Sequence, residues 1–176
     1  VTDSGLKNLK DLTGLRELDL HTPQVTDVGL ENLKSLTGLQ NLILLRLQIT
    51  DVGLEQLKNW PHLQELNLTN SKITDVGLEQ LQGLTGLRKL DLTGTEVTGA
   101  GLEHIKDLTA LRSLNLNVTK VTDEGLEHLK GLTALQTLEL SEQVTDAGLE
   151  YLKGLTNLQS LYLRGTQVTD AGLENL

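Results

Sequence analysis

The chain has 176 residues, a formal net charge of −9, 38% apolar residues, and no Phe, Met or Cys. This acidic balance excludes nucleic acid and anionic membranes as partners, because both need clustered Lys and Arg. The lack of cysteine excludes disulfides and Cys-ligated metal sites without fixing a compartment. No apolar run reaches the ~20 residues of a spanning helix, since Leu42 to Leu47 is broken by Arg46.

From its first residue the chain repeats one step, Val/Ile-Thr-x-x-Gly-Leu with Asp usually third. The step starts at Val1, Val25, Ile49, Ile73, Val97, Val121, Val144 and Val168, every 24 residues with one interval of 23. A motif at such a period marks a unit that cannot bury its own apolar face and must stack on copies of itself. Residues 1–176 therefore read as a single solenoid of seven full repeats and a partial eighth. Val1 already lies inside a step and Leu176 stops within a helical segment, whereas solenoids need polar caps. The expectation is a fragment whose uncapped ends can stack end to end with other copies.

The first predicted strand alternates Leu18 and Leu20 with Glu17, Asp19 and His21, so leucines point inward and polar groups outward. The next segment carries Leu30, Leu33 and Leu36, the buried stripe of a short helix. Thr26 or Asp27 caps its start, and Asp27 and Glu31 suit its positive end while Lys34 suits its negative one. The same polarity recurs at Asp123, Glu127 and Lys130. Glycines 29, 53, 77, 101, 125 and 148 permit close approach of helix and neighbouring turn.

The second strand presents Asn41, Ile43 and Leu45 outward. Trp60, the only Trp, then takes the slot of Leu36, Leu84, Leu108 and Leu132, which makes it a core residue first and a binding edge second. Further strands present Glu65, Asn67 and Thr69; Lys89, Asp91 and Thr93; Ser113, Asn115 and Asn117; Thr137, Glu139 and Ser141; and Ser160, Tyr162 and Arg164. The one short interval, at Leu140 to Val144, predicts a tightened turn.

The unit from Ile73 to Glu96 carries L-x-x-L-x-L at Leu87, Leu90 and Leu92. On these residues the chain resembles the leucine-rich-repeat family. Its V/I-T-D-x-G-L step resembles the cysteine-containing repeats of F-box-type receptors and many bacterial repeat proteins. It departs from them where Thr or Leu replaces Cys, and where Pro23, Leu47, Ser71, Thr95, Thr119 and Thr166 replace a buried Asn after the strand. The resemblance implies an α/β fold, a right-handed horseshoe arc with a parallel concave sheet and short convex helices. It also implies a protein or peptide partner.

Candidate chemistry is sparse. Asp3, Asp27, Asp51, Asp75, Asp123, Asp146 and Asp170 form a ladder that could hold calcium, but helix capping accounts for each, and Gly99 breaks the row. His104 and His128 share one helix position and are too few for a zinc site, and His62 lies in a connection. No Ser meets a recurring His, so no enzyme, metal or cofactor is expected.

The variable outward strand positions are the expected contact surface: His21, Ile43, Leu45, Asn67, Asp91, Asn115, Glu139, Tyr162 and Arg164. Ile43 and Leu45 are apolar on a polar face, and Tyr and Arg dominate interface hot spots. The first expectation is a non-enzymatic scaffold binding a protein or peptide on the concave sheet. The alternatives are the substrate-recognition segment of a larger enzyme or ligase receptor, and a structural or self-assembling spacer.

Overall fold

The computed structural model describes residues 1–174 and 176. Each coil contributes one strand to a sheet: β1 Glu17–Leu20, β2 Asn41–Leu44, β3 Glu65–Asn67, β4 Lys89–Asp91, β5 Ser113–Asn115, β6 Thr137–Glu139 and β7 Ser160–Tyr162. The order is β1 to β7 without crossing, every pair is parallel, and equivalent residues of successive coils face each other. Leu18, Leu42, Leu66, Leu90, Leu114, Leu138 and Leu161 thus form one row across the sheet.

That row meets a second one from the helical side, Leu30, Leu54, Leu78, Leu102, Leu126 and Leu149, all buried. Every inner coil supplies the same leucines to one continuous core, and only the outermost coils leave theirs partly exposed. Trp60 is fully buried in that core, as its slot predicts. Its indole Nε1–H has no hydrogen-bond partner among the described residues.

The helices are shorter and tighter than their leucine stripe suggests. Single α turns at Asp3–Leu6, Asp51–Leu54, Asp75–Leu78 and Asp146–Leu149 pass into 3₁₀ turns. The segments Ala100–Ile105 and Asp123–Leu129 are 3₁₀ throughout. A three-residue spacing is the 3₁₀ period, so this winding keeps Leu102 in line with Ile105 and Leu126 with Leu129. One consequence is a correction: the helix at Asp27–Glu31 ends before Lys34, which lies outside its last turn.

The aspartate row also needs correcting. Helix capping falls to threonine: the Thr26, Thr50, Thr74 and Thr145 hydroxyls accept from the amides two residues on, at 3.3 Å each. The aspartates instead reach across to the following coil. Asp27 accepts the Thr50 amide at 2.8 Å and the Thr50 hydroxyl at 2.7 Å. Asp3, Asp51, Asp75, Asp123 and Asp146 hold Thr26, Thr74, Thr98, Thr145 and Thr169 in the same way. The step glycine makes room for this clamp, since a Cβ on Gly53 would lie 2.4 Å from Asp27 Oδ1.

Gly99 has no carboxylate, so the clamp onto Thr122 is missing. There the two backbones close up, and a Cβ on Gly125 would lie 2.3 Å from the Gly99 Cα. The Thr122 hydroxyl donates instead to Glu124 Oε2 at 2.6 Å. The wholly 3₁₀ segments flank this seam.

After the strand, hydroxyls stand where an amide ladder was the comparison. Ser71, Thr95 and Thr119 are buried and donate to the carbonyl three residues back, at 2.6, 2.7 and 2.6 Å. The short coil breaks the pattern, and it overturns the expectation that Ser141 faces outward. With one residue fewer, Ser141 is drawn fully inside and its hydroxyl donates to the Val121 carbonyl of the same coil's opening step.

Candidate binding face

Alternation along β1 to β7 places the even rows of leucine inward and leaves three outward rows. The central row runs Asp19, Ile43, Asn67, Asp91, Asn115, Glu139 and Tyr162, held in register by the sheet hydrogen bonds. Across the middle of the sheet lies a groove of about 200 Å³. It brings together five of the expected contact residues, Ile43, Asn67, Asp91, Asn115 and Glu139.

The groove also takes in Glu65, Lys89, Ser113 and Thr137 from the neighbouring row. The sequence signal for these four was the same alternation, which counted them outward but gave no reason to choose them. Lys89 pairs with Glu65 at 2.7 Å across two strands. In the central row Asn67 Nδ2 donates to Asp91 Oδ2 at 3.4 Å, and Asn115 Nδ2 to Glu139 Oε2 at 2.9 Å.

Three of these residues also shape the chain. The side-chain oxygens of Asn67, Asp91 and Asn115 accept the amides two residues on at 2.9 Å each, closing the turn at the strand end. Short side chains with an acceptor are what such turns require. Asp91 takes the Thr93 hydroxyl as well, at 2.6 Å.

The remaining expected residues lie elsewhere on the same side. His21 and Leu45 line a separate depression with Pro23 and Arg46, and His21 Nε2 lies 2.6 Å from Asp19 Oδ1. Tyr162 pairs with Glu139 in the register, is 51% exposed, and stands outside the groove. Arg164 is exposed in the turn after β7.

The helical side carries an apolar row that the sequence reading missed. Val28, Val52 and Val76 occupy the variable position of the step in consecutive coils and are 56%, 62% and 60% exposed. On the same side His104 meets Gln82, Nδ1 to Nε2, at 2.9 Å. Among the described residues no three His, Asp or Glu side chains converge on a point that could hold a metal ion. None of the described helices is long and apolar enough to cross a membrane.

An all-parallel sheet of one strand per coil, with leucine rows beneath it, defines an α/β leucine-rich-repeat solenoid. The chain belongs to the leucine-rich-repeat family, which matches residues 37–97, 108–130 and 154–176. Among solved structures it is similar to internalin C2 of Listeria monocytogenes, at 31% identity and a TM-score of 0.75. That match covers all of this chain and 72% of the other. It is also similar to an internalin, inlF, of the same organism, at 27% identity and a TM-score of 0.72, with 88% of this chain covered. The chain spans about half (49%) of that second protein's length. No curated protein matches the sequence.

Proposed function

We propose that the chain is a recognition scaffold that takes a protein or peptide along the outward face of its sheet and performs no chemistry of its own. The observation that carries this reading is the groove across β2 to β6, lined by side chains that differ from coil to coil while the leucines beneath them do not. A constant core leaves the outward positions free to vary without loss of stability, and variation of that kind is what distinguishes one partner from another. Ile43 supplies an apolar anchor inside the groove, and exposed Tyr162 extends the same row beyond it.

The test is a peptide library selected on the wild-type chain, with the recovered binders measured against Ile43→Asp and Tyr162→Ala. Both variants should keep the circular dichroism and melting curve of the parent, because neither side chain belongs to the buried core. Binders should lose affinity for one or both. A set of binders indifferent to both substitutions would move recognition off the sheet.

A further inference from the structure

The groove's chemistry goes further than its position. We propose that its occupant is an extended cationic segment carrying an apolar residue followed at every third position by Lys or Arg. This deepens the reading above and rests on it.

Ile43, Asp91 and Glu139 all line the groove, and in the register each is two strands from the next. At about 4.8 Å per strand that is about 9.6 Å between successive members. A polyproline-type segment advances about 9.3 Å in three residues and returns its side chains to the same side. One apolar and two basic side chains at that interval therefore meet the aliphatic group and the two carboxylates in turn.

The charge is available to such a ligand. Asp91 and Glu139 receive hydrogen bonds from Asn67, Thr93 and Asn115, all of them neutral donors that orient a carboxylate without neutralising it. The groove's cation, Lys89, is engaged by Glu65. With Lys89 offset by Glu65, Asp91 and Glu139 leave the groove net negative within a chain of net charge −9, and that field favours a positive ligand.

The probe is a fluorescein-labelled Leu-Pro-Pro-Lys-Pro-Pro-Lys peptide, read by anisotropy at low salt. Two comparison peptides carry Glu for Lys, or the two Lys one residue closer. The first peptide should bind the intact chain and the other two should not. Asp91→Asn and Glu139→Gln each keep one acceptor oxygen, enough for the Thr93 turn and for Asn115, while removing the charge, and each should weaken binding roughly tenfold. Glu55→Gln and Glu79→Gln, on the helical side, should leave it unchanged.

Equal loss from the helical-side pair would make the attraction one of net charge alone and overturn the proposal. So would wild-type affinity in Asp91→Asn and Glu139→Gln, or equal binding of the Glu peptide. If the Lys peptide fails while library binders still depend on Ile43 and Tyr162, the face is the site and the cationic occupant is wrong. If the binders too are indifferent, the face itself is wrong.

Discussion

Val118 stands in the left-handed backbone region, at φ 54°, in the turn after β5. The equivalent turn positions are Arg46 and Asn70, both at φ 56°, and Gly94 and Gly165, at φ 68° and 76°. An L-residue there costs roughly 1–2 kcal/mol, and a β-branched one is the least suited of all. Asparagine tolerates that region through its short polar side chain. Val118→Asn should therefore raise stability by about 1 kcal/mol, seen as a higher urea midpoint at unchanged slope. Leu114 is the opposite case, fully buried in the middle of its row. Leu114→Ala should cost roughly 2–5 kcal/mol because the packed coils on both sides cannot collapse into the space. A urea curve that does not move would mean the leucine rows are not the core.

The element that joins one coil to the next is a carboxylate, and its titration can be followed. The Thr169 amide, and then the Thr169 hydroxyl, hold the Asp146 carboxyl below its usual range. A depressed folded-state value means the clamp's contribution is fully present above the unfolded aspartate value, about 3.9. It is lost as pH falls through the lower folded one. The Thr169 amide resonance should accordingly stay constant on acidification to about that value and shift only below it. A shift centred at or above the ordinary aspartate value would mean that the clamp does not form in solution. Glu124 is lowered too, chiefly by the Thr122 hydroxyl, a bond within one coil at the seam that lacks the clamp.

Across the whole molecule, a stack that touches only its neighbours is as stable as its interfaces, and the interfaces are not equal. Six coil junctions carry the Asp–Thr clamp among the described residues, while the junction at Gly99 and Thr122 does not. Amide exchange should be faster at residues 99–125 than at the equivalent residues of coils that begin at Ile49 and Ile73. Gly99→Asp would bring a Cβ within 2.7 Å of the Gly125 Cα, so it should force the two coils apart, speed exchange at Thr122 and lower the urea midpoint. An unchanged midpoint in that variant would show that the two backbones do not close up at this seam.

Much of this was legible in the chain alone. The interval of 24 residues and the alternation around Leu90 and Leu92 specify one strand per coil, because stacking such coils buries their repeated leucine rows. The outward rows followed from the same alternation, and Trp60 from its slot. Only the tertiary structure decided that Asp27 serves Thr50 instead of its own helix, that Ser141 turns inward, and which outward residues share a groove. The reason is physical. Periodicity reports which face a residue occupies within its own coil, but a hydrogen bond to a residue 23 positions away depends on the separation of two stacked backbones. That separation exists only once the coils have packed.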